Sequence, residues 1–267
     1  MTRLRFTVAY EGGAYSGWQR QSNALCIQQV IEEALERVTR EALVLRGAGR
    51  TDAGVHAAGQ VFIIDSDTHH DASALQKSVN AVLPEDIVLR SAEVVAADFD
   101  PRRAALGKHY RYTIHQGIEA PLFHRRLRWH FRKELDWRLM ESESQCLVGQ
   151  LDFSSFRGAG CGARNPVRRL DRLSMRRQGA CLYIDVVGQS FLKHMVRNIV
   201  GSLVELGRGF RAAGWLAQVL DARDRPQAGG TAPAMGLCLM RVFYDSEAYA
   251  EACAGQGLDR DDLFHLL

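Results

Sequence analysis

Between two apolar runs, Ala42-Leu-Val-Leu45 and Val61-Phe-Ile-Ile64, the chain carries Gly47-Ala-Gly-Arg-Thr-Asp-Ala-Gly-Val-His-Ala57. This stretch restricts the fold more than any other. The apolar runs read as strands, and a charged, glycine-rich segment between them reads as the loop that joins them. The loop holds one carboxylate, Asp52, directly after Arg50 and Thr51. Two readings are open from these residues alone. One is an ordinary hairpin loop whose Asp makes an Asx-turn. The other is a mount that holds a single functional acid in a fixed pose.

The periodicity around this loop gives an element order. Leu4–Tyr10 alternates as a strand, and Asn23 is placed to cap a helix marked by Ile27, Val30, Ile31, Ala34, Leu35 and Val38, with Glu32, Glu33, Glu36 and Arg37 on its polar side. Ala72–Leu83 reads as a helix stopped by Pro84, and Ile87–Val94 as a strand. The order is β-α-β-β-α-β, a ferredoxin-like unit. Asp98–Arg103 breaks the pattern. Lys108–His115 then alternates, with Tyr110, Tyr112 and Ile114 on one face and His109, Arg111, Thr113 and His115 on the other. A helix over Trp137–Val148, a strand pair over Val167–Arg177 and Cys181–Val187, an amphipathic helix through Leu192–Val204, a short helix over Trp215–Leu220 and a strand over Leu237–Tyr244 complete a second set. The expected fold is α+β, with two ferredoxin-like (RRM-like) halves joined into a largely antiparallel central sheet flanked by helices. The halves are residues 1–104, carrying the Asp52 loop, and 105–267. His69-His70 reads as a solvated turn, and the tail from Asp245 as a helix.

Composition narrows the partners. With 46% hydrophobic and 24% charged residues the chain can build a core. Its net charge is only +3, but the distribution is uneven. From Arg102 to Lys133 there are nine Lys/Arg and one acid, Glu119; from Arg157 to Arg177 there are seven Arg and one acid, Asp171. Tyr110, Tyr112, Phe123, Trp129 and Phe131 lie among the first set. Basic blocks interleaved with aromatics favour nucleic acid over a merely solvated face. The six cysteines form no C-x-x-C pair and read as reduced and mostly buried. No apolar run is long enough for a membrane span, and Met1–Phe6 lacks the apolar core of a secretory signal, so a cytoplasmic protein is expected. Arg197 sits at the margin of the apolar stripe of its helix, where it either snorkels to the surface or reaches a cleft with its guanidinium.

Gly49-Arg-Thr-Asp-Ala-Gly-Val-His-Ala57 resembles the catalytic-loop signature of the transfer-RNA pseudouridine synthases of the TruA family. Gly17-Trp-Gln-Arg-Gln21, Lys108-His-Tyr-Arg-Tyr112, Phe191–Gly201 and Ala232-Pro-Ala-Met-Gly-Leu237 resemble further motifs of that family, in its order. One departure is Asn165 before Pro166, where the family pattern has a small hydroxyl residue. The resemblance implies isomerisation of uridine to pseudouridine at U38, U39 and U40 of the tRNA anticodon arm, by a homodimer. In that reaction the N1–C1′ bond breaks, the uracil turns and C5 joins C1′. Nothing is oxidised or hydrolysed overall, so neither redox cofactor nor metal is required. Asp52 would be the catalytic acid, attacking C1′, adding to C6 or taking a ribose proton. Arg197 would be its salt-bridge partner and keep it charged. Tyr110 would lie against the uracil and Leu237 beside it. Arg50 would fill the space left by the flipped nucleotide or hold its backbone. Trp18, Arg20, Arg111 and His194 would face the RNA.

Two rival readings stand beside it. An RNA-binding module without chemistry needs no such acid, and the RNP1 consensus is absent. A hydrolase would use Asp52 with His56, or a metal on His109, His115, His124 and His130, a histidine set without carboxylate or cysteine companions. His56 and His194 read as structural or RNA-facing rather than as general bases. Gly229–Gly236 lacks the Lys-Ser/Thr ending of a P-loop.

Overall fold

In a computed structural model, residues 1–67 and 71–258 are described. The His69-His70 turn and the tail beyond residue 258 lie outside them. Ten strands and six α-helices among the described residues make this an α+β protein. The chain forms two compact units: Met1–Ala105 with Leu239–Tyr244, and Leu106–Cys238 with the residues from Asp245 on. No helix among the described residues is long and apolar enough to cross a membrane.

The first unit contains β1 (Thr2–Tyr10), α1 (Ile27–Thr39), β2 (Arg46–Gly47), β3 (His56–Ser66), α2 (Ala72–Asn80) and β4 (Ile87–Val94). β1 is central and antiparallel to both β3 and β4, with Leu4 opposite Ile64 and Phe6 opposite Phe62. β2 pairs with the far side of β3. Period-2 alternation explains the core: Leu4, Phe6 and Val8 all point inward and are fully buried. Phe6 stacks on Phe62 at 5.0 Å between ring centroids. Ile27, Ile31 and Leu35, spaced by four, bring α1 onto this face. Each such side chain contributes about 2 kcal/mol by leaving water.

Three local expectations fail in this unit. Asn23 does not cap α1; the N–H groups of Ile27 and Gln28 are bound by the carbonyls of Gly17 and Trp18. Ala42–Leu45 is not a strand. The Leu45 N–H donates to Glu32 Oε1 at 3.2 Å and its carbonyl accepts from Gln28 Nε2 at 3.4 Å, so side chains of α1 take the place of a ladder partner. Glu32 is consequently buried, not on a solvated helix face. α2 begins at Asp71, whose carboxylate accepts from Ala74 N at 2.8 Å, and ends before Ala81.

The second unit contains β5 (Gly107–Gln116), β6 (Trp129–Phe131), α3 (Trp137–Ser144), β7 (Gly149–Asp152), β8 (Val167–Gln178), β9 (Cys181–Gly188), α4 (Met195–Gly207) and α5 (Trp215–Ala222). β10 (Leu237–Phe243) leaves this unit and runs beside β3 in the first, and α6 (Ser246–Ala254) follows. β5, β9, β8 and β7 are successive antiparallel neighbours, and β6 pairs in parallel with the end of β5. β8 and β9 are joined by a tight turn at Gly179, which has φ +57°. Of the six cysteines, Cys26, Cys181 and Cys238 are buried and the other three are not.

β5 departs from the expected pattern. Its second face, His109, Arg111 and Thr113, is as buried as its first. The polar groups there meet one acid on β9. Asp185 lies opposite Arg111 and receives Arg111 Nε at 2.7 Å and Nη2 at 3.0 Å, with His109 Nε2 at 2.6 Å.

Candidate active site

The Asp52 loop is fixed by its backbone. Trp18 N–H donates to the Thr51 carbonyl at 3.1 Å, Gly54 N–H to the Tyr15 carbonyl at 3.3 Å and Val55 N–H to the Asp52 carbonyl at 3.1 Å. Gly54 has φ +77°, a conformation that a residue with a Cβ adopts only with strain. The Thr51 hydroxyl is 2.8 Å from the Tyr10 hydroxyl in a buried contact. Gln60 Nε2 donates to the Gly49 carbonyl at 3.1 Å. The stretch is therefore a held loop, and Asp52 within it is half-buried, neither sealed in the core nor fully in solvent.

Its neighbours divide into two kinds. Arg50 is exposed and its Nε donates to Gln19 Oε1 at 3.1 Å. Arg20 is also exposed, and its Nη1 meets Glu32 at 2.7 Å. Trp18, expected to face the RNA, is only 2% exposed. It packs against Tyr10 and Phe62, and the missing side chain of Gly47 leaves room for its indole. Trp18 thus supports the loop from inside the first unit.

In the second unit Tyr110 packs on Phe191, and Tyr112 and Arg197 both meet the segment before β10. Tyr110 is 8% exposed and meets Phe191 edge to face, with centroids 5.0 Å apart. Arg197 on α4 is half-buried; its Nε donates to the Ala232 carbonyl at 2.8 Å, and its own carbonyl accepts Ala232 N–H at 3.1 Å. The Tyr112 hydroxyl donates to the Pro233 carbonyl at 2.7 Å. Burial pushes the Tyr112 phenol above its usual range, opposed by the charge of Arg197. Leu237 is buried at the start of β10. The Gly229–Gly236 segment is held on α4, with Gly229 N–H on the Ser202 hydroxyl and the Thr231 hydroxyl on Asn198.

His194 takes a left-handed conformation just before α4, at φ +60°, beside Gly158. Arg111, expected to face RNA, is 1% exposed; besides Asp185 its Nη2 reaches the Leu258 carbonyl at 3.4 Å. Of the histidines weighed as metal ligands, His115 and His130 are neighbours, with ring centroids 6.0 Å apart, but among the described residues they belong to no group of three or more His, Cys, Asp or Glu that could hold a metal ion. His109 is on Asp185, His130 Nε2 is 2.8 Å from the Gly117 carbonyl, and His115 Nδ1 is 3.8 Å from Cys181 Sγ.

The sequence reading passed over three groups that shape these sites. Tyr10 and Phe191 touch the residues singled out there, but as ordinary apolar positions they carry no separate signal. Asp185 does carry one, since it is a lone acid in the apolar run Cys181–Val187. Burial alone would push its carboxyl up, but hydrogen bonding to His109 and the charge of Arg111 outweigh that and hold it at about 2.

Comparison with known proteins adds two findings. The sequence model of a family described as tRNA pseudouridine synthase matches residues 7–102 and 144–245. The chain is also similar to curated proteins named tRNA pseudouridine synthase A. That of Geobacter sulfurreducens is 45% identical over 244 residues, covering 91% of this chain and 100% of the relative. That of Myxococcus xanthus is 44% identical over 245 residues, covering 91% and 92%. That of Blochmanniella pennsylvanica is 42% identical over 248 residues, covering 92% and 95%.

Proposed function

The chain belongs to the tRNA pseudouridine synthase family, and from that premise we propose that it isomerises uridine to pseudouridine in tRNA, with Asp52 as the catalytic acid. The observation that carries the reading is the Asp52 loop itself: a nine-residue signature inside the matched region, held by its backbone with the acid half-buried. The finer target is U38, U39 and U40 of the anticodon stem-loop.

The roles follow from the chemistry. An acid working beside a base is desolvated, which favours its neutral form; a cation keeps it ionised. Arg197 is assigned that part. Its Nε is bound to the Ala232 carbonyl, which fixes the guanidinium on α4. Tyr110 offers a ring already braced by Phe191, suited to lie against a flat base. Leu237 excludes water beside the base. The nucleotide must leave its stack, at a cost of a few kcal/mol. Exposed Arg50, together with Arg20 and His194, is assigned to holding the displaced RNA. Attack at C1′, addition at C6 and proton abstraction from the ribose all need the same ionised carboxylate.

The proposal extends to the assembly and the fold. The protein is taken to be a cytoplasmic homodimer. Residues 1–104 and 105–267 are taken as two ferredoxin-like halves. Supporting this, ladder neighbours in the first unit run β4, β1, β3, β2, and in the second β5, β9, β8, each in a β-α-β-β arrangement.

The test is to map pseudouridine in a tRNA transcript before and after treatment with the purified protein. New pseudouridine confined to U38, U39 and U40 is expected. Modification elsewhere would remove the anticodon assignment, and none at all would remove the activity.

A further inference from the structure

One buried side chain joins the Asp52 loop to the end of β1, and the reaction chemistry gives it no part. His56 opens β3 four residues after Asp52 and is 2% exposed. Its Nδ1 accepts the backbone N–H of Gly12 at 3.0 Å. A ring nitrogen that accepts a hydrogen bond carries no proton, so this imidazole is neutral with its proton on Nε2.

Gly12 in turn leans on the Asp52 loop. A Cβ at this position would run into the Val55 carbonyl oxygen. The Gly12 carbonyl accepts Tyr15 N–H at 3.0 Å, the Tyr15 carbonyl accepts Gly54 N–H, and Val55 N–H returns to the Asp52 carbonyl. These bonds form a series of backbone contacts from Gly12 to Asp52, and the bond from Gly12 N–H to His56 Nδ1 ties its Gly12 end back to the residue after Val55.

We infer that His56 is a positioning residue for the reaction. Its neutral Nδ1 fixes the Gly12 turn, and the turn, through Tyr15, Gly54 and Val55, sets the pose of Asp52. His56 neither touches the nucleotide nor transfers a proton. The inference rests on Asp52 being the catalytic acid.

The experiment compares His56→Leu, His56→Asn and Gly12→Ala in the full chain, by steady-state turnover of a tRNA transcript, tRNA binding and thermal melting. Leu keeps bulk and removes the acceptor. Asn places its Oδ1 near the Nδ1 position and restores an acceptor. A misplaced reacting group costs about 100-fold, so H56L should lower kcat about 100-fold while KM and tRNA affinity stay within about threefold. H56N should recover kcat to within about fivefold of wild type, and G12A should reproduce the H56L defect. Wild-type kcat in H56L overturns the inference. So does an H56N as slow as H56L, because an acceptor at that place would then not be what sets the rate. If H56L fails to fold, the other two variants decide: a fast H56N with a slow G12A supports the inference, and a slow H56N or a fast G12A overturns it. Turnover persisting in D52N would remove the reading of Asp52, and this inference with it; an inactive D52N beside a fully active H56L overturns only the role of His56.

Discussion

Asp52 and Asp185 sit in different surroundings. Asp52 is half-buried, and its loop is fixed by backbone bonds to Tyr15 and Trp18. Asp185 is 5% exposed, lies within a strand and is fixed through its carboxylate by His109 and Arg111. A carboxylate enclosed by a histidine and an arginine has its lone pairs filled by the fold. An acid meant to meet a nucleotide must be presented without being sealed in. The difference teaches that a buried, strongly perturbed acid can be accounted for by the fold around it, whereas the proposed role of Asp52 rests on a loop whose backbone is held.

The sharpest way to break this comparison is to neutralise each acid. Asp52→Asn is expected to lower pseudouridine formation by about 10³-fold or more, the upper range for loss of a catalytic acid–base group. Stability should change by no more than about 0.5 kcal/mol, as at other sites outside the core. Turnover assays and urea melts check the two halves of that statement. Measurable turnover by D52N at a wild-type rate would end the assignment.

Asp185→Asn should behave in the reverse way. Removing the acid from a buried ion pair costs about 3–5 kcal/mol. The pH dependence has a definite sign. The folded carboxyl, at about 2, lies below its unfolded value of about 3.9. Its contribution is therefore complete above about pH 4 and is lost as pH falls through about 2. Urea denaturation at several pH values should show wild type and D185N far apart at neutral pH and converging in acid. A constant gap would mean that the pair does not titrate as the geometry implies.

Arg197→Met is the intermediate case, because Arg197 has both a structural bond and an assigned catalytic part. Loss of the bond to the Ala232 carbonyl should cost about 1 kcal/mol. The loop stays docked through Ala232 N–H on the helix backbone. Loss of a preorganised charge should lower kcat about 100-fold. A variant that loses stability but keeps kcat would place Arg197 with Asp185, as a fold residue.

The sequence made the periodic elements legible and missed what tertiary contacts decide. β4 occupies the expected Ile87–Val94, because a short apolar, β-branched run directly after the helix stop at Pro84 leaves little choice. The α+β class follows from the alternation of periods. Ala42–Leu45 was misread because an apolar run says nothing about a Glu32 carboxylate arriving from another element to take the backbone N–H. The expectation that Trp18 faces the RNA fails because the space beside Gly47 that admits the indole is visible only in three dimensions. The Asp52 loop stands out in the sequence because nine contiguous residues carry the resemblance. The pairing of Arg111 with Asp185 does not, since it joins residues 74 positions apart in different strands.

Charge separates the two units as well, and here the expected effect is smallest. The block from Arg102 to Lys133 is basic, and within it Arg125 and Arg126 are both exposed. Arg125 Nη1 caps the Leu122 carbonyl at 2.9 Å, which orders the turn that displays them. If these side chains meet phosphates, reversing both to Glu should weaken tRNA binding about tenfold at low salt and flatten the slope of log affinity against log salt by about 2. Folding should be unaffected, and turnover at saturating tRNA should stay near wild type, the reverse of what D52N does. A salt titration of tRNA binding measures it. An unchanged slope would make this block a solvated face, and the grip on RNA would then fall to the second block, from Arg157 to Arg177.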